Sequence, residues 1–232
     1  MRMLLSAFVV AACHASPPAA APANDFGFYL LAMTWMPNRC CTEACAKVDA
    51  TLTLHGLWPN YTDEQSRGRP RAWPQYCGAY AHCEKAEDAS CAPPAPVPAE
   101  LAAFAPDYVS GTLATHEWSK HGSCTSLAAA DYFQAELAAI RAIPNRALAA
   151  GHDMARSDLV RAFGVAPEAV VLGCDDHCRL TQVGFCIAKD AHDRPVGPRA
   201  CSDNVTTSDY DNGCVTRHCE RVAIQAPASC ER

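Results

Sequence analysis

The 232-residue sequence has few charged residues, no excess of basic ones and no long apolar segment. Only 19% of the residues are charged and 50% are hydrophobic, which excludes intrinsic disorder for the bulk of the chain. The formal net charge of -6 argues against a protein that holds long nucleic acid on a broad cationic surface. No apolar run approaches the roughly 20 residues of a membrane-spanning helix. These absences indicate a folded domain, and they remain compatible with an enzyme that binds one phosphodiester locally in a cleft.

Cysteine, by contrast, is abundant. The sequence contains 15 cysteines, more than a reduced cytosolic protein of this length usually carries. The cysteines therefore predict a disulfide-rich protein in an oxidising compartment, either secreted or periplasmic. Residues 1–12 agree, because one arginine followed by a short apolar run is typical of a secretory leader.

Two ways of processing the leader remain open. Residues 13–15 (Cys-His-Ala) fit a signal peptidase site and give a signal peptide over residues 1–15. Alternatively, Val10–Cys13 resembles a bacterial lipobox, in which Cys13 becomes a lipidated N-terminus that anchors the protein to a membrane. Either route removes Cys13 from the folded domain and leaves 14 cysteines, enough for seven disulfides.

The remainder of the chain predicts one domain. Residues 16–24 are rich in Ala and Pro and predict a tether, and residues 25–232 contain no internal repeat. The predicted strands are Asp25–Trp35, Thr51–Leu57, Val170–Leu172 and Arg179–Lys189. The predicted helices are His116–Cys124, Ala128–Ile143 and Ser157–Phe163, the last with Ser157 as its N-cap. Strands and helices without a regular βαβ rhythm predict an α+β fold with a central antiparallel sheet flanked by helices.

The strand Thr51–Leu57 carries the first candidate functional residue. Its alternation places Thr51, Thr53 and His55 on one face, and Leu52, Leu54 and Gly56 on the other. A histidine on the polar face of a strand whose other face is buried is held rigidly. We therefore expect His55 to face a cleft.

The second candidate segment is His116–Cys124, which reads HEWSKHGSC. Helical spacing places His116, Glu117, Lys120 and His121 on one face. A solvated charged face is one interpretation of such a run. A zinc site is another, although the second histidine falls one position late for the H-E-x-x-H pattern. The residues 175–178 (Asp-Asp-His-Cys) also suggest a metal, but a disulfide-bounded loop is favoured there.

Together these two segments fit a reaction that needs neither a protein nucleophile nor a metal. RNA carries its own nucleophile, the 2′-hydroxyl, next to the phosphate that is cleaved. The enzyme supplies a base for the 2′-proton, an acid for the 5′-oxygen, and cations for the phosphorane. Histidine suits both proton-transfer roles, because its usual pKa of about 6.5 makes both forms accessible near neutral pH.

The segments Leu54–Asn60 (LHGLWPN) and His116–Cys124 (HEWSKHGSC) resemble the two active-site segments of the ribonuclease T2 family. The resemblance extends roughly from Asp25 to Cys219. It implies an α+β endoribonuclease that cleaves single-stranded RNA through a 2′,3′-cyclic phosphate to 3′-phosphate ends. It also implies that no metal and no other cofactor takes part.

Matching by position, the resemblance assigns the base to His121 and the acid to His55 in the first step. It assigns phosphate binding to His116 and stabilisation of the transition state to Glu117 and Lys120. All five residue types are retained in this sequence. The alternative to an enzyme is a non-catalytic binding module on the same scaffold. The loss of a histidine would indicate such a module.

Two further positions are matched to substrate binding. The resemblance places Trp58 where an aromatic ring stacks on the base upstream of the cut, and stacking tolerates every base. Asn60 falls where family members differ, so base preference cannot be predicted from it. Trp35 and Trp118 are predicted to belong to the core.

The resemblance also implies some of the disulfides. It pairs Cys40 or Cys41 with Cys45, one of Cys77 and Cys83 with Cys124, and Cys186 with Cys201. The cysteines that go beyond its pattern include Cys91, Cys174, Cys178, Cys219 and Cys230, together with the adjacent arrangement of Cys40 and Cys41. The expected partner molecule is single-stranded RNA, with no DNA, and the protein is expected to be a monomer without a membrane span.

Overall fold

The computed structural model describes residues 25–42, 50–106, 108 and 112–227. The predicted signal peptide, the lipobox at Cys13, the tether over residues 16–24 and the pairing with Cys45 lie outside the described residues. Within them, antiparallel sheets are combined with helices and five disulfides, which confirms the predicted α+β class. No helix in this part of the chain is long and apolar enough to cross a membrane.

The elements are short and are joined by long irregular segments. The strands are β1 (Phe28–Trp35), β2 (Leu52–Asn60), β3 (His152–Ala155), β4 (Val170–Cys174), β5 (Leu180–Lys189), β6 (Pro195–Pro198) and β7 (Arg221–Ile224). The helices are α1 (Met36–Thr42), α2 (Asp63–Ser66), α3 (Thr112–Lys120), α4 (Ala129–Arg141), α5 (Arg156–Ala162), α6 (Asp203–Thr206) and α7 (Gly213–Thr216). Short 3₁₀ helices include Gly78–Glu84 and Gly122–Cys124.

The main sheet has the strand order β2-β1-β5-β4, with β6 paired to the end of β5, and every pairing is antiparallel. Strand β1 is buried on both faces, and seven of its eight residues are apolar or aromatic. The exception is Thr34, which is 8% exposed. Its alternate side chains Tyr29, Leu31, Met33 and Trp35 enter the larger core, whereas Phe28 and Leu30 enter a smaller one behind the sheet. Strands β3 and β7 form a separate two-stranded sheet.

Helix α4 covers the larger core. Its buried residues include Tyr132, Phe133, Glu136, Leu137 and Ile140, a spacing that makes one continuous helical face. Burial of Trp35 and Trp118 confirms that both belong to the core. Glu136 is the exception to the apolar pattern, since it is a carboxyl group with no exposed surface.

The predicted N-cap at Ser157 is wrong. Helix α5 begins at Arg156 and its N-cap is Ala155, whose backbone is extended and whose side chain makes no capping hydrogen bond. The reason is that β3 runs directly into the helix, so the helix starts as soon as the strand pairing with β7 ends. The Ser157 hydroxyl instead accepts a long hydrogen bond from Arg161.

Five disulfides join the described residues. The bonds Cys77–Cys124 and Cys186–Cys201 confirm two of the implied pairings. The other three bonds are Cys83–Cys91, Cys174–Cys214 and Cys178–Cys219. The last two tie the tail after Arg199 to the turn between β4 and β5. Residues 175–178 are accordingly a disulfide-bounded loop, as the sequence favoured.

Candidate active site

Strand β2 carries a β-bulge at the first candidate residue. Ala32 of β1 pairs with Gly56, whereas the next residue, Met33, pairs with Leu54, so His55 is the extra residue. A bulge reverses the alternation of the residues that follow it. The prediction that Gly56 shares the buried face of Leu54 is therefore wrong, and Gly56 lies on the side of His55.

The bulge also explains why position 56 holds glycine. A Cβ at Gly56 would lie 1.9 Å from Glu117 Oε2 and 2.6 Å from Trp58 Nε1. No other residue fits without displacing both groups. The missing side chain lets the carboxyl group of Glu117 approach the backbone of β2 closely.

Helix α3 contributes the second group of side chains. The predicted helix over His116–Cys124 is divided: α3 ends at Lys120, and a 3₁₀ turn follows from Gly122. Glu117 has no exposed surface and His121 is 3% exposed, whereas the side chain of His116 is 34% exposed. The shared helical face is therefore exposed to solvent at His116 and buried at Glu117 and His121.

The two segments meet around the carboxyl group of Glu117. Trp58 Nε1 donates a 2.7 Å hydrogen bond to Glu117 Oε2, and His55 Nε2 lies 3.7 Å from Oε1. The ring of Trp58 stacks on that of His121 with centroids 5.1 Å apart, and the ring of His55 meets Trp58 edge-on at 5.0 Å. One indole therefore fixes the positions of both imidazoles and of the carboxyl group.

Burial shifts the pKa value of each of these groups in the direction that favours its neutral form. Desolvation, with the nearby cation Arg39, lowers the pKa of His55 to about 4. Desolvation lowers the pKa of His121 well below its usual range, and it raises the pKa of Glu117 to about 8. The 3.7 Å contact between His55 and Glu117 is therefore an uncharged pair at neutral pH rather than a salt bridge.

The remaining two predicted residues lie at the rim. His116 Nδ1 forms a 2.7 Å contact with Glu87 Oε1, and its ring centroid is 6.3 Å from that of His121. Lys120 lines the same cavity as His55, His116 and His121. No local pattern predicts the role of Glu87, because it lies in a cysteine-rich loop 29 residues before His116.

Two cavities open beside this group and share His55 and Tyr210 in their walls. The first, of about 470 Å³, contains every predicted site residue except the buried Glu117, including Trp58 and Asn60. Tyr210 and Asp211 from the tail also line it, and the sequence analysis missed both. The second, of about 710 Å³, is bounded by residues that include Arg39 and Arg217.

Two groups of side chains were considered as metal ligands. One atom each of His116, Glu117 and His121 lies within 4.8 Å of the others, so these residues could hold a cation at the same face. The second group includes Cys83 and Cys91, which are bonded to each other and therefore offer no thiolate. Among the described residues, the group that could hold a metal ion is therefore His116, Glu117 and His121, beside the first cavity.

Comparison with known proteins gives relatives of one kind. A ribonuclease of Aeromonas hydrophila is 31% identical over 116 residues, which are 48% of this chain and 44% of that protein. The intracellular ribonuclease LX of Solanum lycopersicum is 31% identical over 122 residues, 49% of this chain and 47% of that protein. These matches span less than half of the length of either relative.

Structure comparison agrees with the fold. Trichomaglin, described as an S-like ribonuclease, has a TM-score of 0.53 and 18% sequence identity, with 87% of this chain and 98% of that chain covered. The profile of the Ribonuclease T2 family matches residues 26–194, which is well over half of the sequence and includes both active-site segments. The chain belongs to the ribonuclease T2 family.

Proposed function

We propose that the protein is an endoribonuclease that cleaves single-stranded RNA by metal-independent acid–base transphosphorylation. The reaction forms a 2′,3′-cyclic phosphate, which is then hydrolysed to a 3′-phosphate end. The observation that carries the proposal is the convergence of His55, His116, Lys120 and His121 on one cavity, above the buried Glu117.

His121 is the base of the first step. Burial keeps its imidazole neutral, so a ring nitrogen can accept the proton of the 2′-hydroxyl. Stacking on Trp58 fixes the plane of the ring. Its Nδ1 is buried without a hydrogen-bond partner among the described residues, so we assign the proton transfer to Nε2.

His55 is the acid that protonates the 5′-oxygen of the leaving nucleotide. Its lowered pKa means that a proton must be supplied when RNA binds. The anionic phosphate favours imidazolium, and Glu117, protonated in the empty site, lies 3.7 Å away. We assign one proton to this pair, held by Glu117 without substrate and by His55 beside the phosphate. The carboxylate that remains stabilises the imidazolium.

Lys120 and His116 stabilise the charge that develops on the non-bridging oxygens of the phosphorane. His116 Nδ1 lies 2.7 Å from Glu87 Oε1, and this contact fixes the position of the ring at the rim of the cavity. No step requires a metal or another cofactor. DNA is excluded as a substrate because it lacks the 2′-hydroxyl.

The shape of the site supports a single-stranded substrate. The cavities on the two sides of His55 can each take one nucleotide, with the scissile phosphate between them. A base paired in a duplex could not reach the face of Trp58. We further infer a secreted or periplasmic location, which the five disulfides support. We also propose that the protein acts as a monomer.

The test is digestion of single-stranded RNA by oxidised protein between pH 4 and 8 in the presence of EDTA. We expect products with 2′,3′-cyclic phosphate ends and a loss of at least about 100-fold in kcat/KM for His55→Ala and for His121→Ala. His152→Ala is the control, since His152 is exposed on β3 and lines neither cavity.

The other outcomes separate the alternatives. Correctly folded wild-type protein that binds RNA without cleaving it would identify a binding module. Cleavage that appears only without EDTA would identify a metal-dependent hydrolase, with His116, Glu117 and His121 as its ligands.

A further inference from the structure

We propose that Asp211 reads the edge of the base that stacks on Trp58, and that it selects guanine at this position and disfavours uracil. The inference rests on the proposed RNA cleavage and adds a specificity to it. The family profile ends at residue 194, so nothing in the match assigns a role to Asp211 or to its neighbour Tyr210.

The slot for the base is bounded by two aromatic rings. Trp58 and Tyr210 are nearly parallel, with an interplanar angle of 28° and centroids 6.4 Å apart. Tyr210 is 62% exposed, so its ring can shift outward to admit a base against Trp58. Base–aromatic stacking contributes about 1–3 kcal/mol and accepts every base, so selection must come from the polar groups at the edge of the slot.

The Asp211 carboxyl group provides that edge. Asp211 is 7% exposed and lines the same cavity, with the Ser208 hydroxyl beside its carboxyl group. Because this carboxyl group is nearly buried, a base that enters the slot must satisfy its two oxygens with hydrogen bonds.

Guanine is the base that matches two acceptors. Its N1–H and its N2 amino group are adjacent donors, which a carboxylate can accept together. Uracil offers one N–H between two carbonyl oxygens, and these oxygens are repelled by a carboxylate. Adenine and cytosine are intermediate, because each has one amino group next to a ring nitrogen that accepts.

The tail holds these groups in a fixed position. The bonds Cys174–Cys214 and Cys178–Cys219 attach it to the turn between β4 and β5. Gln182 Nε2 donates a 2.9 Å hydrogen bond to the carbonyl oxygen of Tyr210, next to Asp211. Because the chain is fixed on both sides of Asp211, little ordering is needed when the base binds.

The geometry makes the selection depend on pH. Burial raises the pKa of Asp211 to about 6, so above pH 6 it presents two acceptors and below pH 6 one donor and one acceptor. The protonated form matches adenine and cytosine. The other titratable groups that line this cavity are His55, His116, Lys120, His121 and Tyr210. In the proposed reaction the histidines and Lys120 act on the phosphate, which is common to all four substrates, so the ratio between bases isolates Asp211.

The test uses four DNA oligonucleotides that each contain one ribonucleotide, G, A, C or U, as the only cleavable position. For wild type we expect kcat/KM for G to exceed that for U by about 10-fold or more at pH 7.5. We expect the ratio to fall several-fold at pH 5, while A and C gain relative to G. Asp211→Asn should lower the ratio at pH 7.5 and remove its pH dependence.

Two further variants serve as comparisons. Tyr210→Leu should lower kcat/KM for all four bases by a similar factor, because it removes stacking without changing the polar edge. Asp203→Asn is the matched control: it removes one carboxylate from the same tail, but Asp203 is exposed and lines neither cavity. It should leave the base ranking unchanged.

The proposal is overturned if wild type ranks the four bases equally, or if Asp211→Asn keeps the wild-type ranking and its pH dependence. Failure to cleave any oligonucleotide would instead contradict the proposed function. The slot would then be tested on the same proteins by calorimetry with 5′-GMP and 5′-UMP. Equal affinities of wild type for the two nucleotides would overturn the proposal on its own.

Discussion

At the scale of single residues, the site is dominated by the cost of burying ionisable groups. Glu117 accepts a hydrogen bond from Trp58, which favours its charged form, yet desolvation is the larger effect and raises its pKa to about 8. His55 is shifted in the opposite direction for the same reason. The pair His55–Glu117, neutral at rest, acquires charge only when the phosphate enters, which reserves its electrostatic stabilisation for the reacting complex.

Glu117→Gln tests this account through stability. A carboxyl group with a pKa near 4.5 unfolded and about 8 folded stabilises the protein below pH 4.5 and loses that stabilisation as pH rises to 8. The variant has no such group, so we expect it to be more stable than wild type at pH 8 by roughly 2–4 kcal/mol. The difference should shrink towards pH 4.5. Urea unfolding at several pH values measures it.

The same variant should lose activity, because Gln cannot pass a proton to His55. Glu100→Gln is the control, since Glu100 is an exposed carboxylate and its removal should leave the pH dependence of stability unchanged. A Glu117→Gln protein whose stability runs parallel to that of wild type from pH 4.5 to 8 would contradict the assignment of a buried neutral acid.

At the scale of elements, the bulge of β2 is held from behind by two tyrosines. The Tyr108 hydroxyl lies 2.9 Å from both the His55 carbonyl oxygen and Glu136 Oε1, and the Tyr132 hydroxyl donates to the Leu57 carbonyl oxygen at 2.8 Å. One hydroxyl hydrogen serves one acceptor. Burial raises the pKa of Glu136, so its own proton can satisfy the second contact while Tyr108 donates to His55.

Tyr108→Phe and Tyr132→Phe form a matched pair of variants. Each leaves a buried carbonyl oxygen of β2 without its donor, so each should lower the free energy of unfolding by about 1–3 kcal/mol. Only Tyr108 supports the bulged residue itself. We therefore expect Tyr108→Phe to lower kcat several-fold with little change in KM, and Tyr132→Phe to change kcat less. Equal kinetic losses in the two variants would show that the bulge is not specifically held by Tyr108.

Local patterns predicted part of the site, whereas pairing between distant strands determined the bulge of β2 and the start of α5. Alternation in Thr51–Leu57 predicted that His55 faces the cleft, and helical spacing in His116–Cys124 predicted the shared face of His116, Lys120 and His121, because both are local patterns. The bulge at His55 was not predictable, since it depends on the register against β1. The start of α5 was missed for a similar reason, because pairing of β3 with β7 determines it.

At the scale of the whole molecule, the tail was the least predictable part of the site. Cysteine counting predicted many disulfides, but connectivity does not follow from spacing alone. The bonds Cys174–Cys214 and Cys178–Cys219, with the hydrogen bond from Gln182 to Tyr210, hold Tyr210 and Asp211 at the cavity, about 150 residues after Trp58 in the chain. Long-range contacts of this kind leave no local pattern in the sequence.

The net charge of -6 means that RNA binding must rely on a few local cations, and these set its salt dependence. We expect phosphate to be bound mainly in the two cavities, where the cationic side chains are Lys120, Arg39 and Arg217. About three neutralised phosphates give a log–log slope near -2 for a single strand, which is a loss of roughly 20-fold in affinity between 50 and 200 mM salt. Binding of a 2′-O-methyl RNA oligonucleotide, which cannot be cleaved, measures this slope without catalysis.

Two variants locate the source of the attraction. Lys120→Ala should make the slope shallower by about 0.7, the contribution of one phosphate contact. Arg161→Ala should leave it unchanged, because Arg161 lies on α5, pairs with Asp158 and lines neither cavity. A wild-type slope steeper than about -4, or an equal effect of the two variants, would mean that RNA contacts a wider surface than the two cavities. The acidic remainder of the molecule should instead repel the strand beyond them, so affinity should stop rising once the oligonucleotide fills both cavities.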